Sequence, residues 1–313
     1  MSERVAVLIG AGFSRWAAQL PVVSELFDFQ VEPLNGREER WLNNIRQLKA
    51  AWDRTHSGAH PEHFIRDVLT SGRRRNSLYL LWYLTRRLSD PFVATIRGGR
   101  QTLMIDDKRR LGIPGVQSAK VFFSHLRGLP LGGIITPNYD LLIEYALGTS
   151  GFNYGEVGEV LTGRGKNPVF PWQGANPTLR GAVGLAKIHG SVSWADGIHY
   201  TDGRCGLRGR ADIVPPVPGK QRPPELASAW TLAERILRAA EAILVFGFAF
   251  NPYDLAVLEL LRGAVQVQAV LIIDPVPQLE RAREVWPGST ISHCVPPTAN
   301  RACIDAWLYT QRA

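Results

Sequence analysis

VAVLIGAGFSRWAAQLP, from Val5 to Pro21, joins a short apolar run to a Gly-Ala-Gly turn and then to a helical pattern. A buried strand that ends in glycines and leads into a helix is typical of nucleotide-binding α/β proteins. The small residues let a pyrophosphate approach the backbone, and the helix N-terminus favours negative charge. Gly10 and Gly12 are therefore candidate phosphate-binding residues.

The turn departs from two common nucleotide-binding motifs. In the dinucleotide pattern G-x-G-x-x-G, the third glycine position is occupied by Arg15, and no strand ending in Asp or Glu follows about 20 residues later. The P-loop pattern G-x-x-x-x-G-K-[ST] is absent too. These differences argue against a dehydrogenase and a P-loop ATPase. A tight strand-helix connection without a ligand stays open as an alternative.

The composition is that of a globular protein. The chain has 313 residues, 45% hydrophobic and 20% charged, which is enough for a sizeable core. The formal charge of +8 favours anions, but the arginines are scattered, so direct DNA binding is a weaker alternative. No apolar run reaches the roughly 18 residues of a membrane span. No basic leader precedes the first strand, so we expect a soluble cytoplasmic protein.

The cysteine content argues against two structural classes. The chain has three cysteines, Cys205, Cys294 and Cys303, and no C-x-x-C pair. A four-cysteine zinc module is therefore impossible, and a secreted disulfide scaffold is disfavoured.

Helical and strand patterns divide the chain unevenly. The segment of about 22–110 is mainly helical, with Trp41, Ile45 and Leu48 at the spacing of one helix face. Two segments are rich in glycine and proline: 148–184 is predicted as loop with short strands, and 197–224 as a mobile loop.

Strands and helices alternate in the last third of the chain. The predicted elements are a helix at 226–240, a strand at 242–246, a helix at 253–261 and a strand at 267–273. Continuous Val, Ile and Leu strands alternating with helices indicate a parallel sheet covered on both faces. We therefore predict one α/β domain over 1–313. It is a doubly wound, Rossmann-like parallel sheet with the helical insertion at about 22–110.

Polar residues follow two more predicted strands. TPNYD places Asn138 after a buried strand, where its amide suits a ribose hydroxyl or a water. KIHGS places His189 after another strand, in the crevice where α/β sheets bind ligands, and histidine suits general base work at neutral pH. The alternatives are a helix start at Asn138 or Asp140 and a structural role for His189.

Two further strand ends carry candidate ligand contacts. ILVFGFAFNPYD ends a strand at Gly247 and Phe248, and VLIIDP ends one at Asp274. The carboxylate of Asp274 is a candidate acceptor for ribose hydroxyls, with a helix N-cap as the alternative.

In this order, the motifs resemble the sirtuin-like family, and specifically its bacterial branch from antiphage defence systems. The resemblance spans nearly the whole chain. The matching segments are GAGFS…LP at 10–21, TPNYDLLIE at 136–144, KIHGSVSW at 187–194, ILVFGFAFNPYD at 243–254 and VLIIDP at 270–275.

The resemblance implies an NAD site made of the residues in these motifs. Along the phosphates it places Gly10, Ala11, Gly12 and Ser14, with Phe13 near the nicotinamide side. Its paired catalytic residues correspond to Asn138 and His189, and an acidic position beside the nicotinamide pocket corresponds to Asp140. On the adenosine side it places Gly247, Phe248 and Asp274.

The chain departs from the deacylase sirtuins at several points. Their two cysteine pairs are missing, so no zinc or other metal is expected. Val22 and Val23 replace a phenylalanine-arginine pair, and Pro137 replaces the glutamine before the catalytic asparagine. The spacing from Ser14 to Pro21 is one residue longer, as in the defence branch. These differences favour NAD cleavage to nicotinamide and ADP-ribose over protein deacylation.

The resemblance also implies how such an NAD hydrolase is controlled. Defence enzymes of this kind act as effectors that a partner or an oligomer activates. Expected partners are a second copy of the chain and a HerA-type hexameric translocase or a short Argonaute, with nucleic acid reached only through the partner and no membrane. A non-catalytic scaffold subunit that binds NAD or ADP-ribose is the main alternative.

Overall fold

The fold was taken from a computed structural model. It describes residues 4–33, 35–89, 93–96, 100–103, 115–148, 151–155, 183–192, 213–296 and 301–310. Much of the two segments predicted as loops, 148–184 and 197–224, lies outside the described residues.

Nine strands lie within the described ranges. In chain order they are β1 (Val5–Ile9), β2 (Val93–Ile96), β3 (Arg100–Leu103), β4 (Leu131–Thr136), β5 (Phe152–Asn153), β6 (Val183–Lys187), β7 (Ala242–Phe246), β8 (Ala269–Ile273) and β9 (Thr290–Cys294). Strands β2 and β3 form an antiparallel hairpin, and the other seven form one parallel sheet in the order β5-β6-β4-β1-β7-β8-β9.

Helices connect and cover these strands. In chain order they are α1 (Ala11–Ala18), α2 (Gly36–Thr55), α3 (Pro61–Thr70), α4 (Arg74–Ser89), α5 (Val116–His125), α6 (Leu142–Leu147), α7 (Ala227–Arg238), α8 (Leu255–Arg262), α9 (Leu279–Val285) and α10 (Arg301–Thr310). The predicted strand-helix alternation of the last third agrees with α7, β7, α8 and β8 to within about two residues at most ends.

The strand order makes the sheet doubly wound. From β1 the chain moves outward through β4 to β6, and later returns to β7 on the other side of β1 before continuing to β8 and β9. Apart from the two-residue edge strand β5, this is the Rossmann order 3-2-1-4-5-6. Every residue of β1, β7 and β8 is buried, as expected for a parallel sheet covered on both faces. The predicted fold class is confirmed.

Helices α2, α3 and α4 pack on one another around aromatic rings. Trp41 stacks on Tyr79 with centroids 5.4 Å apart and meets Trp82 edge-on at 5.5 Å. A buried ion pair joins Glu38 Oε2 to Arg86 Nη1 at 2.6 Å. These helices fall within the segment predicted to be mainly helical, and the N-terminal end of α3 reaches the pocket described below.

Candidate functional site

A pocket of about 700 Å³ lies at the carboxyl ends of the parallel strands. That volume suits a small-molecule site, for which roughly 300–1,000 Å³ is usual. Its position follows the rule that ligands of such sheets bind where the strand order reverses, here between β1 and β7. The pocket walls include nine residues singled out in the sequence: Ala11, Gly12, Ser14, Asn138, Asp140, His189, Gly247, Phe248 and Asp274.

The glycine turn after β1 packs directly on the end of β7. The Gly12 N–H donates to the Gly247 oxygen at 2.9 Å, and a Cβ on Gly10 would lie only 2.4 Å from that oxygen. Gly247 has φ +64, and a Cβ there would lie 2.2 Å from the Phe13 nitrogen. The glycines therefore permit this close approach of the backbone after β1 to the backbone after β7, a packing role in addition to the predicted approach of a phosphate.

The expectation that Phe13 lies near the nicotinamide side of the pocket needs correction. Its side chain is fully buried and does not line the pocket. The ring lies 5.0 Å from Phe246, 5.5 Å from Phe122 and 6.0 Å from Phe123, centroid to centroid. The reason is helical geometry, since Phe13 lies on the face of α1 that packs against α5 and the sheet. Gly10 likewise stands behind the pocket wall.

Asn138 is held by hydrogen bonds from its side-chain amide. Its Nδ2 donates to the Gly10 oxygen at 2.9 Å and to Ser14 Oγ at 3.0 Å. Ser14 Oγ in turn donates to Asp140 Oδ2 at 2.8 Å. Because an amide nitrogen has two protons, both are committed to the protein, and Oδ1 is the atom that can accept a hydrogen bond from a ligand.

The backbone at Asn138 excludes a role for this residue as a helix cap. Its N–H donates to Thr136 Oγ1 at 3.0 Å, and helix α6 begins only at Leu142. Asn138 is therefore not a helix cap. Asp140 lies two residues before α6, and its Oδ1 accepts from the N–H of Leu142, the first residue of that helix, at 3.0 Å.

A buried ion pair holds the loop between β4 and α6, and the sequence patterns did not predict it. Lys187 Nζ lies 2.8 Å from Glu144 Oε1, and both side chains are completely buried. Lys187 also donates to the Asp140 carbonyl oxygen, while the Tyr154 hydroxyl donates to Glu144 Oε1 at 2.8 Å. The available signal was a lysine at the end of a buried strand and a glutamate in an apolar helix.

His189 follows β6 and lines the pocket with 2% of its surface exposed. Its ring lies 6.3 Å from Tyr139 and 6.4 Å from Trp230. Burial, assisted by the positive charge of Lys220, holds the pKa of His189 well below its usual value. The imidazole is therefore neutral at pH 7 and can accept a proton or a hydrogen bond.

Asp274 is the last of the predicted site residues in the chain and directly follows β8. Its Oδ1 accepts from the Val276 N–H at 2.8 Å, and helix α9 begins only at Leu279. It therefore closes a turn and does not cap a helix. Burial raises the pKa of Asp274 above its usual value, although the Val276 hydrogen bond opposes the shift. Its side chain lines the pocket.

Charged residues that the sequence analysis missed form another part of the pocket wall. Lys220 Nζ and Asp254 Oδ1 pair at 2.6 Å, and the Glu62 side chain is 1% exposed. Burial raises the pKa of Tyr139 well above its usual value, with the charges of Asp254 and Glu62 adding to the effect. These residues belong to distant loops and to α3, so no local spacing connects them.

Within the described ranges, no cluster of three or more His, Cys, Asp or Glu residues is arranged to hold a metal ion. None of the helices in these ranges is both long and apolar enough to span a bilayer.

No protein-family model matches the chain, and no curated protein matches it. Among solved structures, the chain is similar to one described as the crystal structure of a Sir2 homolog–NAD complex. The match covers 99% of this chain and 90% of that chain, with 16% sequence identity and a TM-score of 0.45. The function of the pocket is therefore inferred from its own residues.

Proposed function

We propose that the pocket binds NAD and hydrolyses its nicotinamide–ribose bond to give nicotinamide and ADP-ribose. The observation that carries this proposal is that polar side chains from two adjacent strand ends line one pocket. Asn138 follows β4 with only its amide oxygen left for a ligand, and a neutral His189 follows β6. Both line the pocket that the Gly12 turn also borders. The assignment of NAD as the substrate rests on the resemblance of the motifs to sirtuin-like NAD-cleaving proteins.

The reaction needs a nucleophile and a place for charge to develop. Departure of nicotinamide leaves an oxocarbenium-like ribose C1′, as in glycoside hydrolysis. Water forms the new C1′–O bond while the electrons of the C1′–N bond leave with nicotinamide and neutralise its ring nitrogen. Asn138 Oδ1 accepts a hydrogen bond from a ribose hydroxyl or from that water. Neutral His189 accepts the proton that the water loses.

The remaining pocket residues hold the dinucleotide in this scheme. Gly10, Ala11, Gly12 and Ser14 form the turn beside the phosphates, with Gly10 acting through its backbone. On the adenosine side are Gly247, Phe248 and Asp274. Asp140 orients Ser14, and through it Asn138. Holding the reacting groups together in this way is worth several powers of ten in rate.

We also propose that the protein is an effector of a bacterial antiphage defence system. This part rests on the sequence resemblance. The enzyme would be switched on by self-association or by a partner such as a HerA-type translocase or a short Argonaute. Co-expression with each partner, followed by measurement of cellular NAD after phage infection, tests it. Unchanged NAD in every combination would contradict the defence role.

The activity itself is tested with purified protein and NAD, alone and with each partner. We expect nicotinamide and ADP-ribose in equal amounts. His189→Ala and Asn138→Ala should each lower the rate ~10²–10⁴-fold. His293→Ala, an exposed histidine on β9, is the matched control and should cleave at the parent rate. If His189→Ala cleaves as fast as the parent, the assigned roles are wrong. NAD binding without cleavage under all conditions would support the scaffold alternative.

A further inference from the structure

Glu62 carries an unsatisfied carboxylate oxygen in the pocket wall. It lies in the first turn of α3, directly after Pro61, and its side chain is 1% exposed. Oε1 accepts a long hydrogen bond from Asn251 Nδ2 at 3.4 Å, whereas Oε2 has no hydrogen-bond partner. An unpaired carboxylate oxygen that is buried costs free energy, which a ligand with a donor would recover.

His60 presents a second unsatisfied atom beside it. The Nδ1 of His60 lacks a hydrogen-bond partner and lies 4.0 Å from Glu62 Oε2, too far for a hydrogen bond between them. His60 also lines the pocket, and its ring lies 6.0 Å from that of Tyr253. In the tautomer that carries its proton on Nδ1, this atom is a donor. The pair therefore offers an acceptor and a donor side by side.

The other carboxylates near this part of the pocket are already engaged. Asp140 accepts a hydrogen bond on each oxygen, from Ser14 and from the Leu142 N–H. Asp254 is ion-paired with Lys220 at 2.6 Å. In this part of the pocket, among the residues that the structure describes, Glu62 Oε2 is therefore a buried carboxylate oxygen with neither a hydrogen bond nor a cation within 3.5 Å. Burial raises the pKa of Glu62 above its usual value; the charge of Lys220 opposes this shift, and that of Asp254 adds to it.

A primary carboxamide matches these two atoms. Its N–H₂ group donates, and its carbonyl oxygen accepts, in one planar unit. We propose that Glu62 and His60 recognise the carboxamide of the nicotinamide ring, with the N–H₂ group donating to Glu62 Oε2 and the carbonyl oxygen accepting from His60 Nδ1. The proposal rests on the assignment of NAD as substrate and makes Glu62 a specificity-determining residue. A carboxylate in place of the carboxamide would meet Glu62 as a like charge.

The experiment compares three ligands by calorimetry: NAD, nicotinic acid adenine dinucleotide and ADP-ribose. A His189→Ala background slows cleavage of the dinucleotides ~10²–10⁴-fold during the titration. In that background we expect NAD to bind at least tenfold more tightly than the nicotinic acid analogue, about the cost of one unpaired buried charge. Glu62→Gln should reduce this preference by about tenfold, because its amide can donate to the carboxylate. The affinity for ADP-ribose, which lacks the ring, should not change.

Two further variants keep the result interpretable. Glu39→Gln is the matched control, since Glu39 is an exposed carboxylate in the first turn of α2 and lies away from the pocket. It should leave all three affinities unchanged. His60→Ala tests the other half of the site at a partly exposed position and should weaken NAD while sparing ADP-ribose. It also provides the test if Glu62→Gln fails to fold.

The outcomes separate the two proposals. If NAD and ADP-ribose both bind, but Glu62→Gln and His60→Ala affect the two ligands equally or not at all, carboxamide recognition is overturned while the NAD site stands. If neither ligand binds the His189→Ala background or the parent protein, the NAD assignment fails and the inference fails with it. A loss of preference confined to the ring-bearing ligands supports the inference.

Discussion

Asn138 Nδ2 donates a hydrogen bond to Ser14 Oγ over 3.0 Å, although 124 residues separate the two positions. The Ser14 hydroxyl in turn donates a hydrogen bond to Asp140 Oδ2 at 2.8 Å. The turn after β1 and the loop after β4 are thus locked together by one chain of side-chain hydrogen bonds. This arrangement commits the amide nitrogen of Asn138 to the protein and leaves its oxygen as the side-chain atom that can accept a further hydrogen bond.

The Ser14–Asn138 bond predicts a positioning effect on catalysis. Ser14→Ala removes one of two acceptors for the Asn138 amide, so kcat for NAD cleavage should fall about five- to tenfold, the worth of one hydrogen bond. Ser24→Ala is the matched control, because Ser24 lines the pocket without joining this network. Steady-state kinetics of both variants check the prediction. A change confined to KM, or an equal loss in Ser24→Ala, would contradict it.

His189 predicts a pH dependence of stability. Its pKa in the folded protein lies well below the value of about 6.5 expected for the unfolded chain. As the pH falls below that value, the unfolded chain takes up a proton that the folded protein does not. Above pH ~6.5 the titration of His189 therefore leaves the free energy of unfolding unchanged. Below pH ~6.5 it lowers the free energy of unfolding by up to about 1.4 kcal/mol per pH unit.

Denaturant unfolding of the parent and of His189→Gln between pH 5 and 8 measures this effect (about the range in which histidine titrates). Other titrating groups, such as Glu62 and Asp274, are common to both proteins, so the difference between the two curves reports His189. We expect the parent to lose more stability than the variant on the acid side. Parallel curves over the whole range would show that His189 is not held neutral by the fold.

The buried pair of Lys187 and Glu144 predicts a large effect on folding. Lys187→Met leaves the Glu144 carboxylate buried without its cation, which should lower the free energy of unfolding by about 3–5 kcal/mol. Combining it with Glu144→Gln should restore much of the loss, because no unpaired charge is left. Arg283→Met, which breaks the exposed pair with Glu280, should cost at most about 1 kcal/mol. Equal losses for the buried and the exposed pair would refute this assignment.

Gly247 predicts that close backbone approach limits substitution at the end of β7. Gly247→Ala places a Cβ 2.2 Å from the Phe13 nitrogen at a residue with φ +64. Gly219→Ala offers a control with φ +71 and nothing within 4 Å of its Cβ. The control should cost only the left-handed strain of roughly 1–2 kcal/mol, while Gly247→Ala should cost at least twice that. Thermal unfolding compares the two, and similar midpoints would disprove the steric argument.

The parallel sheet and the sheet edge at which the pocket lies could both be predicted from the sequence alone. Uninterrupted apolar runs such as 5–9 and 242–246, alternating with helices, are typical of a parallel sheet covered on both faces, and the residues after such strands lie at one edge. The positions of Asn138 and His189 followed from this alone. Strand β9 was not predicted from the sequence. It is an edge strand of mixed polarity, TISHC, so its apolar pattern is weak.

The contacts of each side chain at that edge depend on how the helices and strands pack together, and the sequence pattern does not give them. The direction of Phe13 depended on which face of α1 meets α5, and the orientation of the Asn138 amide depended on Ser14. Lys187, Lys220, Asp254 and Glu62 could not be found from local spacing, since their partners lie on other elements. Sequence periodicity reports burial along one element, whereas hydrogen bonds and ion pairs between elements are set only when the elements pack together.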